Sequence, residues 1–179
     1  MNISKQTLRA ALAVVATAAV LTACDEDIVY SHYEHTHLTG WERNDTILFC
    51  IPATSQPGRF DETIGLRIND TYPFTSISLI VEQRVFPGYR SRRDTIKCTL
   101  ADENGIFRGP GVDLHQNTFQ LGHIDLKRGD SLTVKVRHVM KRETLPGISD
   151  IGITLNTYAH VTETSRKSAV DLLEQSLKK

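Results

Sequence analysis

Three histidines fall within six residues, at His32, His35 and His37, and metal binding is the chemistry such spacing suggests. An extended segment puts His35 and His37 on one side, close enough to share an ion. A site also needs a third fixed ligand, and ordering a polar tether to supply one costs conformational entropy. The segment therefore reads as a solvated linker, and no metal is expected. His115, His123, His138 and His160 are scattered singly. Cys50 and Cys98 each sit inside an apolar, strand-like run. A disulfide between them would close a loop of about 49 residues and add a few kcal/mol. Two buried free thiols are the alternative.

A second cluster is cationic. Arg84, Arg90, Arg92 and Arg93 surround Pro87-Gly88-Tyr89, in what reads as an exposed loop. Arginine and tyrosine are common in interface hot spots, so Arg84, Tyr89, Arg90, Arg92 and Arg93 form a possible partner-binding loop, with an ordinary solvated loop as the alternative. No catalytic residue is nominated: Gly-x-Ser-x-Gly, His-Glu-x-x-His and Gly-x4-Gly-Lys are all absent. Asp102-Glu103-Asn104-Gly105 has the flavour of a calcium loop but lacks the remaining ligands and the closing Glu, so it reads as a hairpin turn. No cofactor is implied, and the chain reads as a non-enzyme.

Composition narrows the classes further. The 179 residues carry 21 Lys plus Arg against 21 Asp plus Glu, so there is no basic excess for neutralising nucleic-acid phosphates. Hydrophobic residues at 40% and charged residues at 23% suit a folded globular chain rather than a disordered one.

The first residues read as an address. Lys5 and Arg9 precede an uncharged run from Ala10 to Leu21, about 12 residues long, which matches a secretory signal and is short for a bilayer span. It ends in Leu21-Thr22-Ala23-Cys24, which resembles the bacterial lipobox, where the cysteine is acylated and becomes the mature N-terminus. Cys24 is therefore the expected lipidation site, and two or more acyl chains there anchor a protein firmly. Asp25-Glu26-Asp27 loosely resembles the export tag of Bacteroidota surface lipoproteins. Loss of Lys5 and Arg9 would leave the exported part mildly acidic.

The elements behind these residues are short strands. Thr46 to Ile51 is a continuous apolar run stopped by Pro52, and Thr63 to Ile68 alternates with Ile64, Leu66 and Ile68 on one face. Ile77 to Glu82, Asp94 to Leu100, Phe119 to Ile124, Leu132 to Val136 and Ile151 to Leu155 follow, with turn residues between them. Such spacing without helical crossovers predicts an all-β chain, an antiparallel β-sandwich of jelly-roll or Greek-key type, with a closed barrel as the alternative. From Ser165 to Lys179, apolar residues recur at helical spacing and predict a short amphipathic helix. The expected division is a signal peptide at 1–23, an acylated Cys and polar tether at 24–40, a sandwich at 41–160 and a C-terminal helix at 161–179.

The order of these features resembles the gliding-motility lipoproteins of the GldH type found in Bacteroidota. The resemblance rests on the lipobox cysteine, Trp41 with Asp45 and Phe49, Leu66-Arg67-Ile68 followed by Tyr72-Pro73-Phe74, and Asp94-Thr95. It continues through Leu100 to Gly105 and Met140, then Leu145-Pro146-Gly147-Ile148-Ser149-Asp150-Ile151-Gly152, and covers residues 24–157. Lys141-Arg142 after Met140 is a mild departure from the usual pattern. The resemblance implies a non-enzymatic accessory of the gliding and type IX secretion-associated machinery, lipid-anchored in the cell envelope, in the outer membrane, with other envelope proteins as partners. The rival expectation is a surface carbohydrate- or ligand-binding sandwich, which would need an exposed row of aromatics. Trp41 stands at the start of the fold and reads as a core anchor.

Overall fold

The computed structural model describes residues 28–157. Ten strands follow in chain order: β1 (Ile28–His35), β2 (Trp41–Glu42), β3 (Ile47–Ile51), β4 (Gly58–Ile68), β5 (Ser76–Phe86), β6 (Arg90–Thr99), β7 (His115–Leu126), β8 (Ser131–His138), β9 (Thr144–Leu145) and β10 (Ile148–Thr157). One antiparallel sheet runs β1-β10-β4-β7 and another β3-β8-β5-β6, and the small β2-β9 pair joins them at one end. Two four-stranded sheets in this interleaved order follow the jelly-roll scheme of paired Greek keys. All the described structure is β.

Period-two patterning builds the core. In β5, Ile77, Leu79, Val81, Gln83 and Val85 are buried, while the residues between them face outward. Ile64, Leu66 and Ile68 from β4, Leu132, Val134 and Val136 from β8, and Ile151, Ile153 and Leu155 from β10 complete one cluster fed by both sheets. At about 25 cal/mol per Å² of apolar surface, each such side chain contributes roughly 1.5–3 kcal/mol. Trp41 is fully buried in this cluster, and its indole Nε1 donates to Asp45 O at 3.1 Å.

Two expectations need correction. The polar tether at 24–40 is in large part a strand: β1 pairs with β10 from Ile28 to His35. Its residues lack clean alternation because it is an edge strand, covered on little of its surface. The loop expected around the arginines is instead a β-hairpin, with Arg84 on β5 and Arg90, Arg92 and Arg93 on β6. Only Pro87-Gly88-Tyr89 remains as the connection. Cys24 and the helix expected at 161–179 lie outside the described residues.

Candidate functional site

The hairpin divides its charged residues by side. Along β6, Arg90 and Arg92 belong to the row that faces the other sheet, while Ser91 and Arg93 face outward. Arg92 Nη2 donates to Leu121 O at 2.6 Å, Nη1 to His123 O at 3.3 Å, and Nε pairs with the Asp94 carboxylate. The backbone explains this reach. Leu121 is an extra residue in β7, because Glu62 pairs with Gly122 and Thr63 with Gln120, and Gly122 adopts a φ of 118°. A bulge of this kind leaves backbone groups outside the ladder, and the guanidinium satisfies that carbonyl. Arg90 does the same one step along, donating to Asp125 O at 3.0 Å and Asp130 Oδ2 at 3.3 Å. Both arginines lace the edge strand β6 to the edge strand β7.

Beneath Arg92 lies a buried carboxylate that sequence reading did not single out. Glu62 is 0% exposed; its Oε1 accepts from Gln83 Nε2 at 2.8 Å, and its Oε2 stands 3.7 Å from Arg92 Nη1. Burial pushes the Glu62 carboxyl above its ordinary value, against the opposing pull of Gln83 and Arg92. A raised carboxyl is a familiar property of acid catalysts, but this one is closed off from solvent. His123 pairs with Asp61 nearby, at the rim.

The outward face of the β3-β8-β5-β6 sheet is a different surface. Glu82 lies opposite Lys135 on β8 and Arg93 on β6, Arg84 opposite Thr133 and Ser91, and Ile80 opposite Arg137. Glu82 is the single acid among the outward rows of β5, β6 and β8, facing Arg84, Arg93, Lys97, Lys135 and Arg137. Its one close pair, with Arg93 Nε at 3.4 Å, is solvent-exposed and worth little. Between these side chains runs a groove of about 370 Å³, walled by Glu82, Arg84, Phe86, Arg93, Thr133 and Lys135, in which the three cations outnumber the one acid. This groove can receive carboxylates or phosphates on a surface where opposite charge speeds encounter. Lys135 was hidden in plain alternation: period two puts it outward, but only pairing brings it to the groove with Arg84 and Arg93, and Arg137 follows along β8 opposite Ile80.

The remaining nominated side chains separate. Cys50 and Cys98 are free cysteines, the first exposed and the second buried. A disulfide between them is ruled out because β3 and β6 are opposite edges of one sheet with β8 and β5 between, a span of about 14 Å. Burial pushes the Cys98 thiol up to about 12. His32 pairs with Glu34, His35 with Asp150 and His37 with Thr39, each a separate partner. Among the described residues no three His, Cys, Asp or Glu side chains are grouped to hold a metal. His138 is buried, bonds Trp41 O through Nε2 at 3.1 Å, and is held below its ordinary value by burial.

Residues 28–155, nearly the whole described fold, match the GldH lipoprotein family. The chain belongs to that family. The gliding motility lipoprotein GldH of Flavobacterium johnsoniae is 24% identical over 77% of this chain and 90% of its own length. A GldH homolog of Christiangramia forsetii is 23% identical over 78% of this chain and 90% of its own length. Among solved structures, a family 35 carbohydrate-binding module from Clostridium thermocellum is 7% identical over 69% of this chain and 89% of that one, with a TM-score of 0.34. A likeness that weak carries no argument.

Of the residues behind the GldH resemblance, Trp41, Phe49, Leu66, Ile68, Tyr72, Leu145, Ile148 and Ile151 are buried, and several meet one another. Trp41 pairs with Leu145 across β2-β9 and packs edge-on against His138 with ring centroids 5.1 Å apart. Tyr72 donates through its hydroxyl to Ser76 O at 3.0 Å, and a Cβ on Gly147 would come within 2.3 Å of the Tyr72 amide nitrogen. The Tyr72-Pro73 and Leu145–Gly152 segments of this GldH-family chain are therefore two halves of one packed corner, which is a fold-making role. The cationic groove is built from other residues.

Proposed function

We propose that this chain is a lipid-anchored, non-enzymatic accessory of the gliding-motility and type IX secretion-associated envelope machinery, held in the outer membrane by acyl groups on Cys24. The observation that carries this reading is continuity. The family match begins at Ile28, four residues after the lipobox cysteine, so anchor and domain form one unit. The names of both relatives supply the gliding-motility association. Of the nominated loop, Arg84 and Arg93 serve as the docking surface, joined by Lys135 and Arg137, and the partner is an envelope protein with an acidic face. Arg90 and Arg92 hold the hairpin in place. A carbohydrate-binding reading gains no support, because the exposed aromatics Phe74 and Tyr89 belong to opposite ends of β5 and form no row.

A photocrosslinker placed at Arg93 in cells tests the assignment. Other envelope proteins should be captured, and Arg84→Glu with Arg93→Glu should abolish capture. Cys24→Ala should release the protein from membranes. Tight glycan binding by the purified protein, with no protein captured, would reject the reading in favour of a sugar-binding module.

A further inference from the structure

We infer that the pole of the sandwich formed by the Tyr89 hairpin tip and the Lys127–Asp130 turn rests on the bilayer surface, with lipid headgroups as its partner; this builds on acylation at Cys24. The argument is one of reach. Only Asp25, Glu26 and Asp27 separate Cys24 from β1, so Ile28 lies within about 14 Å of the lipid-bearing residue. The strands that run from pole to pole are 11 residues in β5 and 12 in β7, roughly 35 Å long. The pole holding Ile28 must therefore be the near one. Strand pairing identifies its companions. Ile28 pairs with Asn156, Thr157 with Phe60, Gly58 with Leu126, and Phe86 with Ser131, so the start of β1 shares its pole with the β3–β4 loop, the β5–β6 tip and the β7–β8 turn.

That pole is chemically suited to an interface. Tyr89 is 73% exposed, with a φ of 51°, and packs edge-on against Phe86. Ile28 and Val29 are exposed beside the anchor. Tyrosine with its amphipathic ring favours the headgroup level. In the adjoining turn, Asp130 is turned inward by Arg90 and by the Lys127 amide, which leaves Lys127 and Arg128 as the outward charges. These offset the acidic run Asp25-Glu26-Asp27. Thr54 clamps the turn to the β3–β4 loop, its amide donating to Asp130 O and its carbonyl accepting from Gly129, both at 2.9 Å. The opposite pole exposes charges of both signs, Asp70, Glu103 and Asp113 with Arg108, Lys141 and Arg142, and the apolar Leu38, Ile106 and Val112, so the reach of the anchor rather than surface chemistry selects the near pole. The groove beside Arg93 then stands upright from the membrane, open to a neighbouring protein.

The test uses the full acylated chain carrying Cys50→Ser, reconstituted in phosphatidylcholine vesicles containing brominated acyl chains. An environment-sensitive fluorophore is attached at Tyr89→Cys, at Arg128→Cys as an independent probe of the same pole, or at Leu38→Cys on the far pole. Blue-shifted emission and several-fold stronger quenching at positions 89 and 128 than at 38 are expected. Equal quenching at all three, or strongest quenching at position 38 or at Leu48→Cys on the β3 edge, overturns the inference while vesicle flotation still reports the anchor. Failure to float removes the anchor and this orientation together.

Discussion

Glu62 and Gln83 bond to each other from opposite sheets, 2.8 Å apart, inside a largely apolar core. The amide supplies one hydrogen bond, yet Glu62 Oε2 is left with no bond of its own among the described residues. Ionised Glu62 is therefore under-compensated, and burial raises its folded-state pKa.

The sign of the pH effect follows. A carboxyl raised in the folded state binds protons more tightly there than in the unfolded chain, so its contribution to stability is fully present below the ordinary value of 4.5 and is lost as pH rises through the folded value. Glu62→Gln should raise thermal stability near neutral pH, because the neutral amide removes the buried charge. The gap from wild type should close on acidification. Parallel melting curves across that range would show that Glu62 ionisation carries no such strain.

Tyr33 makes a second prediction. It pairs with Gly152 in β1-β10, Gly152 pairs with Gly65 in β10-β4, and its ring covers both glycines. A Cβ on Gly65 would come within 2.1 Å of the Tyr33 hydroxyl, and one on Gly152 within 2.6 Å of the ring. Arg67 closes the stack, its guanidinium carbon 4.1 Å from the ring centroid. Tyr33→Ala should cost about 1 kcal/mol, as a cross-strand aromatic contact does. Gly65→Thr should destabilise the wild type and stabilise Tyr33→Ala, because a β-branched residue suits a strand once the ring is gone. Additive effects in a double-mutant cycle would mean that ring and glycine do not interact.

Thiol chemistry should separate the two cysteines. Cys50 faces outward on an edge strand, whereas Cys98 is buried with its thiol pushed up to about 12. A maleimide reagent should label Cys50 in the folded protein and Cys98 only after denaturation. Mass spectrometry before and after unfolding reads this directly; rapid double labelling of folded protein would contradict the burial.

The hairpin arginines should part company in mutagenesis. Arg92→Ala strips the Leu121 carbonyl and Glu62 of their cation, and should lower stability by roughly 1–3 kcal/mol. Arg93→Ala removes an exposed pair with Glu82 and should change stability by less than about 0.5 kcal/mol. Its effect belongs in partner capture. Equal loss of stability from both would place Arg93 in the structural set.

What the sequence determined by itself was local. Alternation in Thr63–Ile68, Asp94–Leu100 and Leu132–Val136 marks strand and inward face, because side chains leave a strand with period two whatever it pairs with. The buried role of Trp41 and the family were legible for the same reason: each is carried by short runs of residues. Tertiary structure decided which strands are neighbours. Sequence placed Cys50 and Cys98 in similar runs; the sheet puts them on opposite edges. It made a tether of His32 to His37, since an edge strand covered on little of its surface leaves no alternation to read. It gathered the arginines into one loop, whereas the period-two split of β6 sends Arg92 to the β7 bulge and Arg93 to the groove with Lys135. Pairing over long separations rests on the closure of the whole core, and no window of sequence contains that information.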